Sequence, residues 1–198
     1  MGKRKDPGSP IALSEALAGY ASGVTLVTIA DGRDDIGLTV TAFCPVSLDP
    51  PLVLVSLRAE SYPAEVLRRD DGPGAFAVTL LAAGQRALAG RFAAAGRPGA
   101  RLLLDGVPVR RGVRSAALIP EGGLAALDCQ AESLVQAGDH LLVTGRVLDI
   151  PYMSDSAAPL VRFRGRYPAL DAGMLFKTSH EVERLPLVRP QYQDHLGV

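Results

Sequence analysis

The stretch from Gly37 to Leu57, GLTVTAFCPVSLDPPLVLVSL, decides the fold class of this chain. Its first part is rich in Val and Thr, which favour β-strands. The pair Pro50-Pro51 interrupts the pattern, because proline cannot donate a hydrogen bond within a sheet. An apolar run over 52–57 follows directly. We therefore predict two strands that are separated by the proline pair.

Strand patterns recur along the rest of the chain, whereas helical patterns are few and short. Asp31-Gly32 and Gly138-Asp139 each lie between strand-like runs and predict β-hairpins. Alternation over 127–132 predicts a half-buried strand with Asp128 on its polar face. The predicted strands are 24–29, 37–43, 52–57, 75–81, 127–132, 140–150 and 159–163, and the predicted helices are 11–20, 62–69 and a stripe of Leu81, Leu88, Phe92 and Ala95. Many strands with two or three short helices favour an antiparallel barrel over a doubly wound sheet.

The chain length allows one domain with a sizeable core, since the sequence has 198 residues. We expect a mobile N-terminal arm over 1–10, one domain over 11–172, and a C-terminal tail over 173–198 that packs on a partner subunit or lies free. No apolar run approaches the roughly 20 residues of a membrane helix, and the basic N-terminus with Pro and Gly is not a signal segment. A soluble, cytoplasmic protein without membrane contact is predicted.

Charge and motif content argue against several classes of function. The 21 basic and 21 acidic side chains balance, so no overall field attracts nucleic acid or an anionic membrane. The GxxxxGK and GxSxG motifs do not occur, and no two of the 3 histidines have the helical spacing of metal ligands. Cys44 and Cys129 are expected to be free thiols, because one pair is not the framework of a secreted disulfide-rich domain. We therefore expect no metal site, no P-loop and no serine hydrolase.

A series of short segments resembles the flavin reductase family, whose members are also described as FMN-binding split barrels. The segments occur in the family's order and spacing and cover most of 15–170. They are SGVTLVT (22–28), GLTVTAF (37–43), VSLDPPLVLVSL (46–57), a helix with Gln85, Leu88 and Phe92, LDCQAES (127–133), GDHLLVTGRV (138–147) and PLVRFRGRYPAL (159–170). The resemblance implies a mainly β fold, an antiparallel Greek-key split β-barrel that binds FMN or FAD.

The same resemblance implies an enzyme, an NAD(P)H:flavin oxidoreductase that transfers a hydride from NADH or NADPH to FMN or FAD. Members of the family are typically homodimers with the flavin near the subunit interface. They often supply reduced flavin to a separate flavin-dependent monooxygenase. Two other functions stay open from the residues alone: a flavin-binding or electron-carrier protein of the same fold, and a β interaction domain without a cofactor.

The predicted flavin site combines hydroxyl side chains, backbone amides and an apolar wall, which a flat ring with a ribityl chain and a phosphate requires. The resemblance assigns Thr39, Thr41, Ala42 and Phe43 to the ring and ribityl chain, and Ser56, Leu57, Arg58 and Ser61 to the phosphate side. The alternative for the Thr and Ser residues is β propensity. For Arg58 the alternative is a solvated position in a loop.

His140 and residues near Tyr167 complete the predicted site. In the family the histidine of Gly-Asp-His lies near the flavin ring and the nicotinamide, so the resemblance gives His140 the catalytic role. A surface histidine that caps a turn is the alternative. Tyr167 stands where the family often has an aromatic residue close to the flavin. Arg162, Arg164 and Arg166 share one face if their strand continues, and they either bind phosphates of a pyridine nucleotide or form a solvated strand edge.

Overall fold

The computed structural model describes residues 9–32, 34–69 and 74–170. Its helices are α1 (Pro10–Leu17), α2 (Tyr62–Arg68), α3 (Arg86–Ala93) and α4 (Ala100–Leu103). Its strands are β1 (Ser22–Gly23), β2 (Thr25–Asp31), β3 (Asp34–Val40), β4 (Phe43–Leu48), β5 (Pro51–Arg58), β6 (Ala75–Leu80), β7 (Val109–Arg111), β8 (Leu118–Pro120), β9 (Ala125–Ala137), β10 (His140–Met153) and β11 (Val161–Arg162). The predicted tail over 173–198 and positions 1–8 of the predicted arm lie outside the described residues.

Seven strands form one antiparallel sheet in the order β3-β2-β6-β9-β10-β5-β4. In a flat sheet the two edge strands, β3 and β4, would be about 29 Å apart, at about 4.8 Å for each neighbour. However, β3 ends at Val40 and β4 begins at Phe43, and a connection of this length spans at most about 11 Å. The sheet must therefore curl until its edges approach each other. The mainly β fold is confirmed, and the barrel is split between β3 and β4.

Strand β2 is buried on both faces because its alternate side chains enter two different apolar clusters. Val27 and Ile29 join the larger cluster, which side chains of β5, β6 and β10 also fill. Leu26 belongs to a second cluster between the sheet and helices α3 and α4. Gly37 is required where α3 crosses β3, since a Cβ atom there would lie 2.3 Å from Cε1 of Phe92.

Both predicted hairpins are confirmed by strand pairing. Asp31 of β2 lies opposite Asp34 of β3. His140 of β10 lies opposite Ala137 of β9, and Gly138 in the turn between them has a φ of 59°. That left-handed conformation favours glycine, which is why the Gly-Asp pair identified the turn correctly.

Several predicted element bounds were wrong. Strand β3 ends at Val40, so Thr41 and Ala42 form a connection and Phe43 begins a new strand. The predicted strand over 159–163 is reduced to Val161–Arg162. Helix α3 begins at Arg86, so Leu81 and Ala95 of the predicted helical stripe lie outside it.

Asp128 is the clearest error in predicted burial, because it was expected on the polar face of its strand but is fully buried. Its carboxylate accepts hydrogen bonds from the backbone N–H groups of Arg114 (2.7 Å) and Ser115 (3.0 Å). These donors lie in the turn between β7 and β8, so the small β7–β8 sheet packs over this face of β9. Alternation within one strand carries no information about such a second layer.

A buried carboxylate joins the helical region to the sheet. Asp35 of β3 is 1% exposed, and it accepts a hydrogen bond from Nε of Arg101 on α4 (2.6 Å). Arg111 of β7 binds the same carboxylate through both of its terminal nitrogens, each at 2.9 Å. Burial raises the pKa of Asp35, but the two guanidinium groups outweigh that effect and hold it below its ordinary value. The cluster thus fixes α4 and β7 against β3.

Candidate functional site

Two connected cavities lie beside the connection between β3 and β4. The first has a volume of about 330 Å³ and an apolar wall that includes Phe43 and Leu160. The second has a volume of about 500 Å³. Tyr20, Ser22 and Thr41 line both cavities, so hydroxyl groups mark the place where the cavities meet.

Three of the predicted ring contacts come together here. Thr41 lines both cavities, Phe43 lines the first, and Ala42 lines the second. The backbone N–H of Ser56 donates to the carbonyl of Ala42 at 3.0 Å, which fastens the connection to β5. The end of β3 at Val40 is what frees Thr41 and Ala42 from regular strand pairing.

Two other predicted contacts have a different local role in the structure. The hydroxyl of Thr39 donates to the backbone carbonyl of Ala89 in α3 at 2.8 Å, so its proton serves the packing of that helix. Its oxygen still has acceptor capacity. The side chain of Leu57 is 1% exposed and belongs to the larger apolar cluster. Only the backbone of Leu57 is therefore left for contact with a ligand.

The predicted phosphate residues lie at the end of β5 and in the turn that follows it. Arg58 is exposed, and its carbonyl accepts a hydrogen bond of 2.7 Å from the hydroxyl of Ser61. This bond closes the turn before α2. Ser61 also lines a further cavity of about 430 Å³, together with Asp34 and Arg97.

His140 lies directly opposite Arg58 in the pairing of β10 with β5. Its Nδ1 atom is 2.8 Å from Oδ1 of Asp139, and the hydrogen bond from His140 lowers the pKa of the Asp139 carboxyl. Phe43 pairs with Val55, three residues before Arg58 on β5, which is about 10 Å along the strand. Within one chain His140 is thus beside the predicted phosphate residues and away from Thr41 and Phe43.

Tyr167 packs against the second apolar cluster, and the guanidinium of Arg86 lies 5.5 Å from the centre of its ring. Arg162 and Arg164 line the second cavity together with Thr41. The three arginines were expected to share a strand face if the strand continued. It does not, because β11 ends at Arg162 and the chain turns at Arg164 and Gly165, which have φ values of 48° and 73°.

Sequence reasoning missed three residues that line these cavities. Tyr20 was placed at the end of the predicted helix over 11–20, although it lies beyond the end of α1 and lines both connected cavities. Ser22 lay within a segment that was quoted only as a family match. Arg97 follows the predicted helical stripe and was given no role. Its Nε donates to the carbonyl of Gly37 at 2.8 Å, and burial lowers the pKa of its guanidinium.

The residues around Thr41 fit a flavin. Cavities of about 330 and 500 Å³ lie within the usual range for small-molecule sites, about 300–1,000 Å³. The apolar wall suits the ring, and the hydroxyl groups at the junction suit its polar edge and the ribityl chain. Within the described ranges, no carboxylate lines either of these cavities, so nothing there repels an anionic cofactor.

Comparisons with known proteins agree on one family. The model of the flavin reductase like domain matches residues 17–171. The reductase component of 4-hydroxyphenylacetate 3-monooxygenase from Thermus thermophilus is 38% identical over 80% of this chain and 95% of its own length. An NADH-dependent flavin reductase from a Rhodococcus species is 37% identical over 82% of this chain and 88% of its own length.

A solved structure agrees with these relatives. The NADH:FAD oxidoreductase SgcE6 of Streptomyces globisporus superposes with a TM-score of 0.77 and is 28% identical. The match covers 86% of this chain and 99% of that structure. The family model and the superposed structure thus agree along almost the whole described chain. This chain belongs to the family of flavin reductase-like domains.

Proposed function

We propose that this protein is an NAD(P)H-dependent flavin reductase, which transfers a hydride from NADH or NADPH to FMN or FAD. The observation that carries the proposal is the pair of connected cavities at Thr41, where an apolar wall meets several hydroxyl groups. The names of the relatives from Rhodococcus and Streptomyces globisporus support the same activity.

The bound flavin would supply the redox chemistry, because its ring accepts a hydride from a reduced nicotinamide. The protein's own residues would bind and orient the flavin and exclude water from it. Phe43 and Leu160 line the cavity that would receive the apolar ring, and they would help to exclude water from it. Thr41 and Ser22 offer hydroxyl groups to the polar edge of the ring and to the ribityl chain.

The proposed phosphate contacts lie further along β5. Arg58 and Ser61 follow Phe43's partner Val55 by three and six residues, so a ligand that begins at Phe43 would reach Arg58 after about 10 Å. That span suits a flavin whose ribityl chain runs beside β5. An exposed guanidinium at this position would bind the phosphate oxygens by charge-assisted hydrogen bonds.

We further propose that the protein acts as a homodimer. Leu48 is 96% exposed, and Ile150 and Met153 are 55% and 81% exposed. Leu48 lies at the turn between β4 and β5, and β10 continues past its pairing with the start of β5 to reach Ile150 and Met153. Large apolar side chains with this degree of exposure are typical of protein interfaces.

The proposed recipient of reduced flavin is a separate flavin-dependent monooxygenase. The relative from Thermus thermophilus is named as the reductase component of a monooxygenase, which supports this assignment. The proposed compartment is the cytoplasm, and the free thiols of Cys44 and Cys129 suit its reducing conditions. Burial raises the pKa of Cys129 to about 12, so it remains a thiol at neutral pH. None of the described helices has the length and apolar character to span a bilayer.

The activity is tested by following the oxidation of NADH and of NADPH in the presence of FMN, FAD or riboflavin. We expect steady oxidation of at least one nucleotide that depends on both the flavin and the protein. Flavin binding without oxidation above the protein-free background would instead indicate a flavin-binding or electron-carrier protein. Absence of both binding and oxidation would indicate an interaction domain.

A further inference from the structure

Gln85 joins two segments of the chain that are 36 residues apart in sequence. It lies in the turn between β6 and α3, and the proposed chemistry gives it no task. Its side-chain oxygen accepts a hydrogen bond of 3.0 Å from the backbone N–H of Ala82. Its side-chain nitrogen donates to the backbone carbonyl of Glu121 at 2.9 Å. We name this pair of hydrogen bonds the Gln85 clamp.

The two partners of the clamp fix the orientation of the side-chain amide. A backbone N–H only donates and a backbone carbonyl only accepts, so the oxygen of Gln85 faces Ala82 and its nitrogen faces Glu121. Glutamine satisfies both partners at once. A carboxylate at this position would accept from Ala82 but could not donate to Glu121.

The clamp holds a loop whose own sequence favours many conformations. Residues 121–124 connect the end of β8 at Pro120 to the start of β9 at Ala125. Gly122 and Gly123 are adjacent in this loop, and Gly122 has a φ of 80°. Because glycine has no Cβ atom, the backbone here is restricted mainly by its contacts with other parts of the fold.

Gly123 shows how closely the loop fits its surroundings. A Cβ atom at Gly123 would lie 2.7 Å from the carbonyl oxygen of Leu80 and 2.7 Å from the hydroxyl oxygen of Tyr152. That hydroxyl accepts a hydrogen bond of 3.3 Å from the backbone N–H of Gly123 and donates to the carbonyl of Pro120 at 2.8 Å. Tyr152 thus fastens the loop from β10, while the Gln85 clamp fastens it from the turn before α3.

The last residue of the loop lines the proposed ring site. Leu124 lies around the cavity of about 330 Å³, together with Leu80 and Phe43. The backbone N–H of Leu124 donates to the carbonyl of Leu80 at 2.8 Å. A shift of the loop would therefore move an apolar side chain of the cavity that the flat flavin ring would enter.

The other end of the clamp reaches the same cavity. Ala82 follows Leu81, and Leu81 lines the cavity. Ala82 also forms a β-bridge with Pro159, which lines the cavity as well. The clamp therefore joins two segments that both contribute apolar side chains to the ring site.

We infer that Gln85 is a positioning residue, which holds Leu124 in place and so sets the shape of the ring cavity. This inference rests on the proposed function, which assigns the flavin ring to that cavity. Gln85 is not among the described residues that line the cavity, so it acts through the loop. Its bond to Glu121 is exposed, so water can replace the amide there, and loss of the clamp should loosen the loop more than it lowers the stability of the fold.

The test compares Gln85→Ala, which removes both hydrogen bonds, with Gln85→Glu, which keeps only the acceptor for Ala82. Titration with riboflavin measures the affinity for the ring and ribityl chain without a phosphate. We expect the dissociation constant for riboflavin to rise about fivefold in both variants, the effect of one hydrogen bond of about 1 kcal/mol. The dissociation constant for FMN should rise by the same factor, because the proposed phosphate contacts at Arg58 and Ser61 are unchanged.

Hydrogen exchange measures the loop itself in the absence of flavin. The peptide that contains 121–124 should exchange faster in both variants than in the native protein, while peptides of β2 keep their native rate. The visible absorption of bound riboflavin is a second readout, since it depends on the surroundings of the ring. It should shift towards that of free riboflavin in both variants, which a loss of overall stability alone would not cause.

Gln130→Ala is the matched control, because the amide of Gln130 also donates to a loop carbonyl, that of Gly74, and Gln130 is not among the described residues around the cavity. Its affinity for riboflavin should equal that of the native protein. Affinity at the native level in Gln85→Ala would overturn the inference. The same result in Gln85→Glu alone would also overturn it, by assigning the effect to the bond with Ala82 rather than to the loop.

Two further outcomes separate this inference from the proposed function. Weaker binding of FMN with unchanged binding of riboflavin would overturn the inference, because the phosphate site and not the ring site would then depend on Gln85. Flavin binding without NADH oxidation would contradict only the proposed reductase activity, since none of these measurements requires turnover. A native protein that binds neither flavin would contradict the proposed function together with the role given to the cavity.

Discussion

His140 stands among charged neighbours at the start of β10, with Asp139 at hydrogen-bonding distance and Arg58 directly opposite on β5. Its side chain is 40% exposed, so a ligand or proton donor in solvent can reach the imidazole. The position joins the end of the proposed flavin phosphate site to the mouth of the β9–β10 hairpin. A substitution of His140, with NADH oxidation and flavin affinity both measured, therefore distinguishes a role in turnover from a role in flavin binding.

We expect His140→Ala to slow the oxidation of NADH while the dissociation constant for FMN changes little. Within one chain His140 lies away from the ring site, so this expectation requires that its imidazole reach the ring site of the second subunit in the proposed homodimer. There it would orient the nicotinamide amide or stabilise negative charge on the reduced ring, effects realised during turnover. Steady-state kinetics and fluorescence titration with FMN and riboflavin measure the two quantities. Loss of FMN affinity with riboflavin affinity and kcat unchanged would place His140 in the phosphate site and remove it from the reaction.

At the residue scale, local chemistry identified part of the site from sequence. Thr41, Ala42 and Phe43 were predicted together and lie together, because adjacent residues at a strand end remain neighbours in any fold. The burial of Asp128 was not recognised, since it depends on which other layer covers that face of β9. The role of Arg97 depends on a contact with Gly37, 60 residues away, and no local pattern encodes it.

At the scale of elements, Asp35 connects three of them, because β3 carries the carboxylate while α4 and β7 provide the guanidinium groups. The side chains of Arg101 and Arg111 are partly exposed to solvent, whereas the Asp35 side chain is only 2% exposed. A buried carboxylate that loses its charge or its partners costs free energy, and here the cost would fall on the docking of α4 and β7.

We expect Asp35→Asn to lower the free energy of unfolding at neutral pH by about 2 kcal/mol. The pKa of Asp35 is depressed in the folded state, so its stabilisation is fully present above the unfolded value of about 3.9 and is lost as the pH falls through the folded value. The variant should therefore lose less stability than the native protein on acidification below about pH 4. Urea unfolding across this range measures both effects.

Asp105→Asn is the matched control, because Asp105 is exposed and close to α4. The free energy of unfolding of the Asp105→Asn variant should equal that of the native protein at each pH. Equal stability of Asp35→Asn and the native protein at neutral pH, or identical acid profiles, would contradict the role given to Asp35.

Elements with strong local signals were predicted, and short ones were not. The hairpin turns at Asp31-Gly32 and Gly138-Asp139 depend on residues that favour one backbone conformation. The region 100–120 forms α4, β7 and β8, with lengths of 4, 3 and 3 residues. Segments of this length contain less than two periods of the helical or the strand pattern, too few to identify them, and tertiary contacts such as those of Asp35 and Asp128 determine them.

At the scale of the whole molecule, the split of the barrel lies where the proposed chemistry takes place. The connection from Val40 to Phe43 joins the two edges of one sheet, and its residues line the ring site. On the same sheet, β10 extends past its pairing with β5 to end in exposed apolar residues at Ile150 and Met153. The fold therefore presents a hydroxyl-lined cleft at the split and, on the same sheet, an apolar surface that is suited to a second copy.

We expect the native protein to sediment with twice the mass of one chain and Ile150→Glu to sediment as a monomer. A carboxylate in an apolar interface is desolvated without a partner, which opposes association. Val113→Glu is the control, because Val113 is 82% exposed but lies in the turn between β7 and β8. A native protein that sediments as a monomer at all concentrations would contradict the proposed dimer.

The most direct test of the reductase assignment is an anaerobic reaction of the protein with FMN and NADH, followed by the absorbance of both. Exclusion of oxygen prevents reoxidation, so electrons that leave NADH remain on the flavin. We predict that the flavin is bleached as an equimolar amount of NADH is oxidised, much faster than in a mixture without protein. Bleaching at the protein-free rate, although FMN is bound, would contradict the account.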